Sequence, residues 1–114
     1  MPRRDWTLLL DDMLQSIEKI ERYIEGYESD SFAADSRTVD AVVRNLEVIG
    51  EAANALPPEI RTLAPEVDWR GIVGLRNRVV HEYFGVSSRM IWTIASQELM
   101  PLKVALLVLL PRLR

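Results

Sequence analysis

The stretch LRNRVVHEYFG, residues 75–85, contains the single histidine of the chain, His81, between Arg76 and Tyr83. Histidine titrates near neutral pH and suits acid–base catalysis. Arginine presents paired planar donors to a phosphate or a carboxylate. The alternative is a charged helix surface whose histidine caps the last carbonyls, where the helix dipole favours a cation. Residue types alone favour this second interpretation, because a lone histidine is a weak signal.

The spacing within this stretch predicts which side chains share a helix face. Arg76 and His81 are five residues apart, about 140° around a helix, and do not share one. Asn77 and His81 are four residues apart and share a helix face. Arg76 and Tyr83 are seven residues apart and also share one. A long arginine side chain could still meet the histidine at one phosphate, above all if a second subunit closes the site.

Charge and composition exclude some classes of function. The chain has 114 residues, 48% of them hydrophobic, and a net charge of −3, which does not fit a protein that coats nucleic acid. It has no cysteine, so disulfides and thiolate metal sites are excluded. Basic residues are mainly arginine, 12 against 2 lysines, which a GC-rich genome would also produce.

Two apolar segments bear on localisation. The N-terminal run at residues 8–10 is too short and too acidic in its surroundings for a signal peptide. The longest apolar stretch, VALLVLL at residues 104–110, is too short to span a bilayer. We therefore expect a cytoplasmic protein without a membrane segment.

Apolar residues recur at helical spacing along the whole chain, and no alternating strand pattern competes. Four main helices are predicted, with Pro101 expected to kink or split the last one. Short helical turns are expected around Phe32 and over residues 58–64. The sequence thus predicts one all-α domain over residues 1–114, an antiparallel four-helix bundle with a short extra helical turn. The main helices cover about residues 5–26, 36 or 37 to 56, 68–85, and 87 or 88 toward 110.

The second predicted helix carries a polar stripe of alternating charge: Asp40, Arg44, Glu47 and Glu51. Such a stripe is a solvated face with internal ion pairs or a set of side chains that positions Arg76 across the bundle. A metal centre of the bundle type is not expected, because no Glu-x-x-His pair exists. The three tryptophans are expected to anchor helix packing rather than to stack on bases.

The order of Arg76, His81 and Tyr83 resembles the R-x-x-x-x-H-x-Y motif of HepT-like toxins in the HEPN superfamily. The resemblance extends over most of the chain. TVDAVVRNLEVIGEAANALP at 38–57 is similar to the second helix of that family, and PEVDWRGIVGLRNRVVHEYFGV at 65–86 to the third. IWTIASQELMPLK at 91–103 is similar to the start of its last helix.

The resemblance implies a metal-independent ribonuclease toxin that works as a homodimer and needs no cofactor. It implies catalytic roles for Arg76 and His81, and a polar residue, here Asn77, is common after the arginine. Asn77 is expected to support the site by orienting His81 or bonding a phosphate, although its spacing fits a simple helix-surface asparagine equally well. It also implies a partner, a minimal nucleotidyltransferase antitoxin of the MntA type that adds AMP to Tyr83. The similarity of RNLEVIGE further favours supporting roles for a group on the second helix, Arg44, Glu47 and Glu51.

The chemistry of RNA cleavage agrees with these roles. RNA carries its own nucleophile, the 2′-hydroxyl, so cleavage needs a base, an acid and cationic donors for the phosphoryl oxygens. One histidine per chain then predicts a composite site in which two motifs meet across a two-fold dimer interface. The alternative is a non-catalytic helical adaptor that binds a nucleotidyltransferase or a nucleotide.

The apolar end of the last helix departs from the family pattern, which is charged and amphipathic there. An all-round apolar segment such as residues 104–110 requires burial. It is expected to extend the dimer interface, to meet the antitoxin or to form a higher oligomer.

Overall fold

A computed structural model describes residues 4–79 and 87–113 of the chain. These residues form helices and turns without any strand, which confirms the predicted all-α class. His81 and Tyr83, with Glu82 between them, lie outside the described residues.

The helices follow one another through short connections. All five helices before the motif lie within predicted elements, and the short α2 is the turn expected around Phe32. Their bounds are α1 Arg4–Ile24, α2 Ser29–Ala33, α3 Ser36–Ala55, α4 Pro58–Arg61 and α5 Trp69–Val73. Residues 75–79, α6, are helical. The last rod comprises α7 Ser88–Thr93, a π turn Ile94–Glu98 and α8 Leu99–Leu113.

The first and last helices run antiparallel beside each other. Near the end of α1, Glu21 accepts from the Lys103 Nζ, near the start of α8, at 2.9 and 3.0 Å through its two carboxylate oxygens. At the opposite end, Trp6 of α1 and Leu113 of α8 line the same small pocket. Because α1 also packs along α3, the three long helices enclose a common core, as the predicted bundle requires.

The core is aliphatic, with one aromatic pair at its edge. Phe32 is fully buried, and its ring centroid lies 5.3 Å from that of Trp92, with a tilt of 46°. Trp69 is buried, while Trp6 and Trp92 are half-buried against the core, so all three tryptophans are packing anchors as predicted. Other fully buried large side chains include Leu10, Met13, Ile17, Ile20, Leu46, Ile49, Leu56, Leu75, Ile91, Ile94, Leu102, Leu106 and Leu109.

The predicted third helix is interrupted, which corrects the expectation of one continuous element. Asp68, at the predicted start of this helix, is the N-cap, but α5 ends after five residues and Gly74 adopts a turn before α6 begins. The Gly74 N–H still donates to the Arg70 carbonyl at 3.1 Å, so the interruption is local. Two glycines within four residues, Gly71 and Gly74, weaken helix propensity at this point.

The last rod is continuous from residue 88 to 113 but contains a π turn at residues 94–98. The expected distortion near Pro101 therefore lies in the turn that precedes it. In a regular helix the Pro101 ring would clash with the carbonyl of residue 97 and leave it without a donor. A π turn ending at Glu98 changes the hydrogen-bonding pattern where that carbonyl lies.

The apolar end of the last rod is only half covered. Ala105, Leu106, Leu109 and Leu110 are buried, whereas a stripe on the other side is 51–56% exposed and comprises Met100, Val104, Leu107 and Val108. Residues 88–113 form the one described helix long and apolar enough to cross a bilayer by length and composition, with a mean hydropathy of 1.5 in the best window. Since 44% of that window is buried inside the protein, a core helix explains the same composition.

A carboxylate network fixes the start of α3. Asp35 caps the helix by accepting from the Thr38 N–H at 3.3 Å, and its other oxygen accepts from the Thr38 hydroxyl at 2.8 Å and from the Tyr27 hydroxyl. The Tyr27 and Thr38 side-chain hydrogen bonds, followed by the backbone bond from Thr38, hold the pKa of Asp35 below its ordinary 3.8. Three donors converging on one carboxylate stabilise its charged form.

This network makes a pH-dependent contribution to stability. The folded-state pKa of Asp35 is depressed, so its stabilisation is present above the unfolded value of about 3.8 and is lost as the pH falls through the folded value. We expect Asp35→Asn to be less stable than the wild type at pH 7, and the difference to shrink below pH 3.8. Urea denaturation across this range measures it. An equal difference at both ends would show that the charge on Asp35 does not matter.

Candidate active site

Two hydrogen bonds fix the backbone of the segment that precedes the motif in the sequence. The Asp68 carboxylate accepts from the Gly71 N–H at 3.1 Å, which caps α5. The indole Nε1–H of Trp69 donates to the Ala64 carbonyl at 2.9 Å inside the core. A capped helix start and a buried hydrogen bond together set the direction in which the chain enters α6.

The described part of the motif lies on α6 with its apolar side inward. Leu75 and Val79, four residues apart, are 1% and 0% exposed and face the core. Arg76 and Asn77 are exposed. The helix therefore presents Arg76 and Asn77 at the surface while two aliphatic side chains hold it in the bundle.

The backbones of α3 and α6 approach each other closely at Gly50. A methyl group on Gly50 would lie 3.2 Å from the backbone nitrogen of Arg76 and 3.3 Å from the Ile72 carbonyl oxygen. Both neighbours are main-chain atoms of helical segments and have little freedom to yield. The absence of a side chain at Gly50 thus fixes how near α3 comes to Arg76.

Beside this crossing, α3 and α6 form a polar pocket of ≈ 220 Å³. Four polar side chains line it, two from each side of the crossing. A cation, a carboxylate and two amides in one small depression could bind a phosphate and an adjacent base. The lining residues are Gly50, Glu51, Asn54, Val73, Arg76 and Asn77.

The structure brings some of the predicted supporting residues to this pocket and leaves others outside it. Glu51 and Asn77 line it together with Arg76. Arg44 reaches the rim only through Glu51, at 4.0 Å, and both side chains are largely exposed, at 70% and 55%. Glu47 is half-buried on α3 and is not among the lining residues. An exposed pair at this distance contributes little to stability.

Asn54 also lines the pocket, although the sequence did not single it out. The polar stripe on α3 runs through residues 40, 44, 47 and 51 with spacings of four, three and four. The next step of three leads to Asn54, which is exposed on the same side. Continuing the stripe by one position would have identified it.

Arg78 forms an ion pair with a residue of the last rod. The spacing of four pairs it with Glu82, which lies outside the described residues. In the structure the Arg78 guanidinium donates to Glu98, with Nη1 to Oε1 at 3.1 Å. This ion pair joins α6 to the last rod.

The described residues contain no group of three carboxylate or imidazole side chains that could hold a metal ion. The chemistry of the pocket rests on Arg76, with Glu51, Asn54 and Asn77 around it. His81 and Tyr83, the two other motif residues, belong to the undescribed segment.

Comparison with known proteins gives consistent matches. Residues 13–109 match the family model described as "Ribonuclease HepT-like". A "Probable ribonuclease HepT" of Thermococcus cleftensis is 36% identical over 94 residues, 82% of this chain and 86% of that protein. A "Putative RNase" of Methanocaldococcus jannaschii is 38% identical over 94 residues, 82% of this chain and 78% of that protein. No solved structure matches the chain.

The crossing at Gly50 gives a direct prediction. In a helix interior, glycine to alanine normally stabilises by roughly 0.5–1 kcal/mol. At Gly50 the added methyl presses on two backbone atoms, and we expect a net loss of about 1 kcal/mol in the free energy of unfolding because overpacking outweighs propensity. Urea denaturation of Gly50→Ala measures it.

A matched control on the same helix is Ala41→Gly, at a half-buried position in α3. Replacing alanine by glycine there measures the cost of glycine in the interior of α3, the contribution that Gly50→Ala would recover if no contact opposed the methyl group. If Gly50→Ala raises the free energy of unfolding by as much as Ala41→Gly lowers it, the close crossing at Gly50 does not constrain the bundle.

Proposed function

Since the chain belongs to the family of HepT-like ribonucleases, we propose that it is the toxin of a two-component toxin–antitoxin system and cleaves RNA without a metal ion. Membership makes the chain an endoribonuclease, and the proposal specifies its mechanism, assembly and control. The observation that carries it is the position of Arg76, exposed at the rim of a polar pocket beside the fixed α3–α6 crossing.

In the proposed reaction the RNA 2′-hydroxyl attacks the adjacent phosphorus. A base takes the hydroxyl proton, the bond to the 5′-oxygen breaks, and an acid protonates that leaving oxygen. The products are a 2′,3′-cyclic phosphate and a 5′-hydroxyl, and no water or redox partner is consumed. Arg76 would stabilise the charge that develops on the phosphoryl oxygens. His81 would transfer the protons, because imidazole titrates near neutral pH.

The pocket supports this assignment for Arg76. Glu51 shares the pocket and offers the guanidinium a nearby negative charge, while Asn54 and Asn77 offer neutral donors and acceptors. A phosphate that enters would find a cation and amide N–H groups, the donors that position nucleic-acid backbones. Glu51 would keep Arg76 oriented between turnovers, as its place in the pocket allows.

A homodimer would complete the site. Each chain supplies one histidine, whereas the reaction needs a base and an acid. A two-fold axis beside the motif would bring two arginines and two histidines to one RNA strand. Beyond the dimer, the exposed aliphatic stripe of α8, which includes Val104 and Leu107, is a surface for a higher oligomer or for the antitoxin.

Control would come from a nucleotidyltransferase antitoxin of the MntA type acting on Tyr83. Transfer of AMP to the phenolic oxygen would release pyrophosphate from ATP and leave a negatively charged, bulky group seven residues from Arg76 in the sequence. That charge would repel RNA phosphate and compete for the guanidinium. Toxin and antitoxin would meet in the cytoplasm, where both ATP and RNA are present.

The alternative is a helical adaptor that binds a nucleotidyltransferase or a nucleotide without cleaving RNA. It would account for the polar pocket and the apolar stripe. It would not require Arg76, His81 and Tyr83 together, which is why the ribonuclease is preferred.

Two substitutions test catalysis. We expect Arg76→Ala and His81→Ala to lower the rate of RNA cleavage at least about a hundredfold, the effect of removing one transition-state donor or proton carrier. Arg22→Ala, an exposed arginine on α1, serves as the control and should keep wild-type activity. Cleavage of a labelled RNA in EDTA, with analysis of the product ends, measures the rate and the mechanism. Activity that disappears in EDTA, or 5′-phosphate products, would contradict the proposal.

Tyr83→Phe tests the control mechanism separately. The variant should cleave RNA within about twofold of the wild type, because the phenolic oxygen takes no part in the proposed proton transfers. It should arrest growth even when the cognate antitoxin is co-expressed, whereas the wild type is silenced and gains the mass of AMP. Intact mass and growth curves measure this. A Tyr83→Phe protein that is still silenced would place the modification elsewhere.

A further inference from the structure

A bidentate ion pair connects the motif helix to the last rod. Arg78 Nη1 donates to Glu98 Oε1 at 3.1 Å, and Nη2 donates to Oε2 at 3.5 Å. Both carboxylate oxygens face the two terminal nitrogens, a geometry that restrains orientation as well as distance. The pair joins residues twenty positions apart in the sequence and lies two residues beyond Arg76.

The π turn places Glu98 where it can make this contact. In a regular α-helix residue 98 would lie seven positions from Ile91 and four from Ile94, on the buried face of the rod. With the π turn, Leu99 takes the buried position at 3% exposure, and the Glu98 side chain is 42% exposed. The extra residue in the turn thus moves a glutamate out of the core and toward α6. Such π bulges occur frequently at functional sites.

Arg76 and Arg78 lie on opposite flanks of the buried side of α6. At 100° per residue they are about 160° apart, with Leu75 and Val79 between them on the inner face. Arg76 borders the pocket shared with α3, and Arg78 faces the last rod. A rotation of α6 about its axis that separated Arg78 from Glu98 would therefore also move Arg76 relative to α3.

Among the described residues, the Arg78 flank of α6 borders a cavity. A cavity of ≈ 310 Å³ separates the α5–α6 segment from the last rod, with Ile72 and Arg78 on one wall and Ile94 and Leu102 on the other. Glu98 also lines it, so the ion pair bridges this cavity. On the opposite flank the close approach at Gly50 holds α6 by backbone contact.

We propose that Glu98 is a positioning residue for catalysis, which acts through Arg78 to set the rotation of α6 and thereby the place of Arg76 at the phosphate. The proposal rests on the ribonuclease mechanism described above. A guanidinium that is misplaced by a fraction of an ångström loses transition-state stabilisation more than it loses RNA binding, because the charge it serves develops during the reaction.

The decisive experiment compares Glu98→Gln with a matched variant. A second bidentate pair, Lys103 with Glu21, ties the same rod to α1, and its side chains are 24% and 37% exposed against 37% and 42% for Arg78 and Glu98. Glu21→Gln therefore removes an equally well-formed and less exposed bridge that has no link to α6. It should leave kcat and KM for RNA unchanged within about twofold.

For Glu98→Gln we expect kcat to fall about tenfold while KM stays within about twofold, as a positioning loss requires. Arg78→Glu should lose at least as much, and the reversed pair Arg78→Glu with Glu98→Arg should recover most of the lost kcat. Recovery by charge reversal is a result that general loosening of the fold would not produce, and it decides the question even if one single variant folds poorly.

The outcomes separate this inference from the proposed function. An active wild type whose kcat is unchanged in Glu98→Gln overturns the positioning role alone. Equal losses in Glu98→Gln and Glu21→Gln, or no recovery in the reversed pair, also overturn it. A wild type that does not cleave RNA overturns the proposed function and this inference with it.

Discussion

The position of the motif helix depends on one close contact between backbones, at Gly50 of α3. The Cα of this glycine faces the Ile72 carbonyl and the Arg76 amide so closely that a methyl group would lie 3.2–3.3 Å from those two atoms. Residues on either side of it, Ile49 and Ala53, are fully buried and hold α3 in the core. Since α3 cannot recede from the core, the distance from α3 to Arg76 is set by main-chain atoms, the least deformable part of the protein.

A contact on one flank does not by itself orient a helix. The flank of α6 opposite Gly50 is held by a polar contact instead of a backbone contact. There the space beside Ile72 and Ile94 is partly empty, and a charged pair crosses it. Exposed ion pairs contribute little to the free energy of folding, yet a bidentate pair still restricts geometry. Burial of Leu75 and Val79 thus stabilises the motif helix. Its orientation comes from the polar contact between Arg78 and Glu98.

The sequence predicts the helices and the core better than their irregularities. Periodicity locates the long helices because burial repeats at 3.6 residues, and Asp68 and Ser87 are recognisable caps. The break at Gly74 and the π turn each shift the pattern of buried and exposed residues by a single position. A shift this small cannot be located from the periodicity of apolar residues alone. One signal was present: Glu98 occupies a position that a regular helix would bury, and a charged residue there indicates that the register shifts.

For the site, sequence patterns identify residue types and the structure adds their grouping. The stripe on α3 predicts that Glu51 is near Arg76, but only the crossing at Gly50 shows why Glu47 and Arg44 contribute less to the pocket. Asn54 follows from the same stripe once its direction is known. The roles of His81 and Tyr83 rest on the motif and the family, because their segment lies outside the described residues.

The exposure of the pocket bears on how a single chain could act. Arg76 and Asn77 on one side and Glu51 and Asn54 on the other are all exposed, so water has access to every polar group in the pocket. A guanidinium stabilises a phosphoryl charge far better when water is excluded, because the effective dielectric constant falls. In the proposed complex, bound RNA would cover one side of such a depression. A second chain across a two-fold axis would cover another and would supply the second histidine that proton transfer requires, so the same assembly would meet both needs.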